Sequence, residues 1–92
     1  MDLREAQGLI AKLYINRDRG RGIFATFAWF IEEVGELAEA LLSGDKKSIE
    51  EEIADVFAWL LSIANLVNVD VAEAFKRKYL EMLIGEARGS YS

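Results

Sequence analysis

Apolar residues recur three and four positions apart in four stretches of this chain, the spacing of an α-helical face. The first stretch, from about Asp2 to Asn16, carries Leu3, Leu9, Ile10, Leu13 and Tyr14. The second runs from about Phe24 to Leu42 and the third from about Lys46 to Val67. A fourth begins after Asp70 and reaches about Gly85. Between the first two lies Arg17-Asp18-Arg19-Gly20-Arg21-Gly22, whose polarity and glycines predict a loop. Asp45 is a candidate N-cap for the third helix, with Ser48 and Glu51 as an alternative capping box. Asp70 is placed to cap the fourth. Proline is absent, and Ala, Leu, Glu and Lys, all good helix formers, dominate. The pattern predicts one all-α domain over residues 1–92, a four-helix bundle, with a polar tail from Glu86 to Ser92 expected to be flexible.

The second and third helices are apolar on more than one side. With Glu32 at 0° and about 100° per residue, Phe30, Val34, Leu37 and Leu41 fall between roughly 140° and 200°. That arc predicts a core face. Trp29, Ile31, Ala38 and Leu42 fall outside it. A helix apolar all round is central to a bundle or lies at an interface. Of the 92 residues, 52% are hydrophobic, more than a chain of this length hides in its own core. The expectation is a homo-oligomer, either a homodimer or a dimer of dimers.

Charge and composition narrow the chemistry. The net charge is −5, which disfavours a nucleic-acid partner. No run of 18 apolar residues and no signal-peptide pattern is present, so a soluble cytoplasmic protein without a membrane partner is expected. Cysteine and histidine are both absent. Disulfides, cysteine nucleophiles, zinc sites and histidine bases are thereby excluded. Any metal must be held by oxygen, which favours Mg²⁺, Mn²⁺ or Ca²⁺.

The acidic residues are arranged to do this. The second helix contains Glu32-Glu33-Val34-Gly35-Glu36 and the third Glu52-Ile53-Ala54-Asp55. Residues three apart are neighbours on a helix surface, so Glu33 pairs with Glu36 and Glu52 with Asp55. The short connection at Ser43-Gly44-Asp45 implies antiparallel helices. The two pairs are equidistant from Gly44 and so lie at one height along the hairpin. Helix axes about 8–10 Å apart would let inward carboxylates at that height share a cation. Trp29 precedes Glu33 by one turn and Trp59 follows Asp55 by one turn, each on its carboxylate stripe. The two rings suit a nucleobase wall, an interface or an aromatic core. Acidic stripes on helices are also commonly nothing more than solvated faces.

On these residues the sequence resembles the MazG-like nucleoside triphosphate pyrophosphohydrolases. The family signature, Glu-Glu-x-x-Glu followed after a spacer by Glu-x-x-Asp, stands here as Glu32-Glu33-Val34-Gly35-Glu36 and Glu52-Ile53-Ala54-Asp55. The flanking Val-Gly-Glu-Leu-Ala-Glu-Ala and Asp-Val-Phe-Ala-Trp-Leu match as well, and the likeness extends from about Leu3 to Tyr79. The resemblance implies an all-α oligomer that hydrolyses a nucleoside triphosphate to a monophosphate and pyrophosphate, a housecleaning reaction on the nucleotide pool. It implies Glu33, Glu36, Glu52 and Asp55 as catalytic residues and ligands of Mg²⁺ (Mn²⁺ as a substitute), with Glu32 supporting. It implies Lys78 near the substrate. Met82 stands where the family places an asparagine. The Arg17-Asp18 segment, similar to one in shorter members, is placed to reach phosphate; one arginine of Arg17, Arg19 or Arg21 would join Lys78 as the remaining cations, with Trp29 and Trp59 as substrate contacts.

Two other functions compete. A helical nucleotide-binding or interaction module would keep the fold without turnover. A carboxylate-bridged di-metal redox protein would need the Glu-x-x-His pattern, which a chain without histidine does not have.

Overall fold

A computed structural model describes residues 1–87, and these are helical almost throughout. Helix α1 spans Leu3–Arg21, α2 Ile23–Ser43 and α3 Lys46–Leu66. The last segment, α4, starts as Val71–Phe75, widens into a π-helical stretch over Lys76–Leu80 and continues as Glu81–Ala87. Glu86 thus belongs to a helix. Ala87, also in the expected tail, does too, and residues 88–92 lie outside the described residues.

The helix starts follow the side-chain chemistry at their ends. Asp2 and Glu5 form a reciprocal capping box on α1. Asp45 caps α3, accepting from the Ser48 amide at 3.2 Å and the Ser48 hydroxyl at 2.6 Å, and Asp70 caps α4 through the Glu73 amide at 3.1 Å. Gly44, at φ +73°, ends α2 in the left-handed conformation that glycine adopts without strain.

The loop expected over Arg17–Gly22 does not form. Helix α1 continues through Gly20 to Arg21, and Gly22 alone, at φ +88°, separates it from α2. The reason is topological. Gln7 meets Asn65, and Arg21 meets Trp59, so α1 runs antiparallel to α3. Trp29 meets Trp59, and Glu33 lies beside Glu52, so α2 does too. The two helices follow each other along α3 on different faces, and no chain reversal is needed between them.

The C-terminal end of α3 is tied to α1 by a small polar network. The Gln7 amide nitrogen donates to Asn65 Oδ1 at 3.1 Å and to the Val69 carbonyl at 2.7 Å. Its oxygen accepts from the Val71 amide at 3.0 Å. These bonds fix the turn in which Asn68 adopts φ +57°.

The core face expected on α2 is corrected by one helical step. The stripe turned toward the rest of the chain is Thr26, Phe30, Glu33, Leu37 and Ala40. Val34 and Leu41 lie instead on an exposed stripe with Phe27, Ile31 and Ala38. Helix α3 carries a similar exposed row, Ile53, Phe57, Leu60 and Val67. Among the described residues only Ala40, Leu61 and Ala64 are buried apolar side chains. The accessible surface is 6871 Å², against roughly 5,400 Å² for a compact monomer of this mass. The radius of gyration is 15.9 Å, against about 12 Å for a compact 92-residue domain. No single helix among the described residues is long and apolar enough to cross a membrane.

Candidate metal centre and the adjoining groove

Glu33 is on the inward stripe of α2, and Glu36 is one turn further at its edge. Glu52 projects from the inward stripe of α3 at the same height. One carboxylate oxygen from each of these three residues lies within 4.8 Å of the other two. Oε2 of Glu33 and Oε2 of Glu52 are buried and have no hydrogen-bond partner. Burial of a charged oxygen without a partner costs on the order of 1–3 kcal/mol or more, so folding alone gives no reason to place these two acids inward. A hard divalent cation, which takes several carboxylate oxygens, would supply the missing partner. The donor set is all oxygen, in keeping with a chain that lacks cysteine and histidine.

Asp55 is placed differently from the expectation of four equivalent ligands. It is exposed and stands outside the three-oxygen cluster, although its charge acts on both Glu33 and Glu52. Helical spacing explains the split. Three residues advance the side chain by about 300°, so Glu52 faces α2 while Asp55 turns toward α1. Glu32 is exposed and outside the cluster.

Crowding of the acids shows in their proton affinity. Desolvation, together with the charges of Glu36, Asp55 and Glu52 and the Glu36 hydrogen bond, raises Glu33 from 4.5 to about 7. Glu52 is also raised, by desolvation and then by Glu36 and Asp55, with its contact to Glu33 opposing the shift. Between about pH 4.5 and 7 the folded, metal-free protein therefore binds a proton at Glu33 that the unfolded chain has released. The stability this proton provides is lost as pH rises through that window. The melting temperature of chelator-treated protein is expected to fall from pH 5 to pH 7.5, and Glu33→Gln is expected to flatten the slope. A thermal scan across pH on both proteins checks it.

On the other side of Asp55 lies a groove between α1 and α3, with a cavity of about 170 Å³. Helix α1 contributes Tyr14, Arg17, Asp18 and Arg21, and α3 contributes Asp55, Ala58, Trp59 and Ser62. Both sets follow the spacing of one helical face. Asp18 is 2% exposed, and its Oδ1 accepts from Arg21 Nη1 at 3.0 Å. The Arg21 guanidinium carbon lies 4.9 Å from the centre of the Trp59 ring, within cation–π range. Trp59 in turn stacks on Trp29 with centroids 6.2 Å apart and planes 18° from parallel, joining α2 to α3 beside the acids.

Of the expected cations, Arg17 and Arg21 reach the groove, whereas Arg19 is exposed and does not line it. Lys78 is not brought to the acids or the groove. It sits in the π-helical stretch of α4 with its ammonium 5.5 Å from the Tyr79 ring. Met82, at the family's asparagine position, is 49% exposed further along α4. The sequence points to Asp18 only as part of the Arg17-Asp18 segment and to Tyr14 only as an apolar helix position, and it gives no signal for Ser62. Tyr14, Arg17, Asp18 and Arg21 share helical spacing, a signal for the α1 set that Gly20 and Gly22 mask.

The sequence profile of the MazG nucleotide pyrophosphohydrolase domain matches residues 22–86, which hold the acidic cluster and the whole α3 side of the groove. A protein from Cyanophage S-2L, named dATP/dGTP diphosphohydrolase, is 39% identical over 64 residues. The aligned region covers 70% of this chain and 55% of that relative, so the chain spans about half the relative's length. With the paired acids on consecutive helices and a profile match over most of its length, the chain belongs to the MazG nucleotide pyrophosphohydrolase family.

Proposed function

We propose that this protein hydrolyses nucleoside triphosphates to a monophosphate and pyrophosphate with Mg²⁺, or Mn²⁺ in its place, and acts as a homo-oligomer. The observation that carries this reading is the convergence of Glu33, Glu36 and Glu52 with two buried, unpartnered oxygens. When bound there, the cation would neutralise charge on the triphosphate and on the leaving pyrophosphate. Glu33, Glu36 and Glu52 would hold it, and Asp55 acts on Glu33 and Glu52 electrostatically from outside the cluster. Arg17 and Arg21 bring positive charge to the groove side of Asp55. The name of the cyanophage relative supports purine deoxynucleoside triphosphates as substrates.

Oligomerisation is supported by the exposed apolar rows of α2 and α3. The surface exceeds that of a compact monomer by roughly 1,500 Å², while a standard interface takes about 800 Å² from each partner. Incubation with Mg²⁺ and dATP or dGTP, followed by separation of the products, tests the activity. Equal amounts of monophosphate and pyrophosphate are expected.

A further inference from the structure

We infer that the α1/α3 groove is the nucleobase pocket of this site, and that buried Asp18 reads the base by accepting one of its N–H groups. The inference rests on the proposed nucleotide-hydrolase reading and adds where the base goes and what recognises it.

Asp18 is the residue that points to a base. Its side chain is 3% exposed and lines the groove, and its two oxygens are treated unequally. Oδ1 is engaged by Arg21, whereas Oδ2 is buried with no partner. A buried carboxylate oxygen without a donor is costly, and the neighbouring groove is where a donor can enter. Inorganic phosphate and the phosphate chain carry no N–H. They would also meet Asp18 and Asp55 together in this groove, a repulsive pairing that two arginines only offset. A nucleobase supplies what is missing. Its ring and exocyclic N–H groups donate, and its ring nitrogens or carbonyl oxygens accept.

Arg21 completes the complement. The guanidinium has five N–H donors, of which one is given to Asp18. The pair therefore offers a donor and an acceptor side by side, matching an adjacent acceptor and donor on a base edge. Tyr14, Ala58 and Trp59 give the groove apolar and aromatic walls, which suits a planar ring. Asp55 borders the groove and acts electrostatically on Glu33 and Glu52. A base in the groove thus leaves its phosphates directed at the acidic cluster.

The test compares three slowly cleaved ligands in Mg²⁺. These are an α,β-methylene deoxyguanosine triphosphate, the same compound methylated at the ring N–H, and the α,β-methylene triphosphate of deoxyribose without a base. Binding is followed by calorimetry and by quenching of the tryptophans, on wild type and on Asp18→Asn. The amide can keep an oxygen toward Arg21 and puts an NH₂ donor where the acceptor was. The expected result is a loss of about tenfold for the unmodified nucleotide in Asp18→Asn, about 1.4 kcal/mol, with binding of the base-free ligand within about twofold. Methylation should cost wild type a similar factor, a readout that needs no variant to fold. Equal losses on the base-free ligand would assign the oxygen to a sugar hydroxyl and overturn the inference. So would unchanged binding of both the methylated base and the variant. Wild type that binds nucleotide with this selectivity but does not cleave dGTP would refute the hydrolase reading and leave the pocket standing. Failure to bind any nucleotide would refute both.

Discussion

Glu36→Ala is expected to reduce Mg²⁺-dependent turnover by on the order of 10³-fold, about 4 kcal/mol in the barrier, while leaving the fold intact. Glu36 contributes one of three clustered carboxylate oxygens, so its removal takes a ligand from a cation that needs several. It also takes away a charge that raises the proton affinity of both Glu33 and Glu52. Relief of that repulsion should hold or raise the melting temperature of the chelated variant. Mg²⁺ should then stabilise the variant less than wild type, because stabilisation by a ligand follows its affinity for the folded state. Asp55→Ala should also impair turnover, and its effect on Mg²⁺ stabilisation should be smaller, since it stands outside the three-oxygen cluster. Glu39→Ala and Glu50→Ala alter exposed acids outside the cluster and should change turnover little. If all four variants lose activity alike, or none does, the cluster is not the site.

The second large effect concerns assembly. Wild type should sediment as a dimer or larger at micromolar concentration, and Ile31→Glu should abolish that species. Ile31 is 51% exposed in the single chain, at the centre of the row formed by Phe27, Val34 and Leu41. A carboxylate there would have to be buried unpaired when two such rows meet, a penalty of several kcal/mol. It should cost little in a monomer, where the position is already solvated. Loss of the oligomer should bring loss of thermal stability, because so few apolar side chains are buried within one chain. A compact wild-type monomer in sedimentation velocity would contradict this reading.

The helices and the acidic pairs were legible in the sequence because both depend on local spacing. Apolar periodicity located four segments, and Asp45 and Asp70 marked two of their starts as observed. The i, i+3 pairs placed Glu33, Glu36 and Glu52 together before any fold was known. Position within a turn was harder to read. On α2, apolar residues fill two adjacent stripes, and periodicity does not say which one the chain covers and which it leaves for another molecule. Glu33 lies on the covered stripe and Val34 on the exposed one, the reverse of what polarity alone suggests. The separation of Asp55 from Glu52 depends on α3 being shared between two neighbouring helices, which a pair-by-pair count does not contain. The segment Arg17–Gly22 departs from its expected loop for a related reason. Its glycines and arginines have a loop's composition, yet Asp18 and Arg21 are held against α3 by groove contacts more than thirty residues away in the chain. Tertiary packing there overrides local preference, and it also brings the groove to the edge of the acids.

The proposed role of the acidic cluster is cleavage between the α and β phosphates. The direct measurement is the product balance from dATP and dGTP, with Mg²⁺ and with chelator. Monophosphate and pyrophosphate should appear one for one with Mg²⁺, and neither should appear with chelator. Release of orthophosphate with accumulation of the diphosphate, or no cleavage of any nucleoside triphosphate with Mg²⁺ or Mn²⁺, would contradict it.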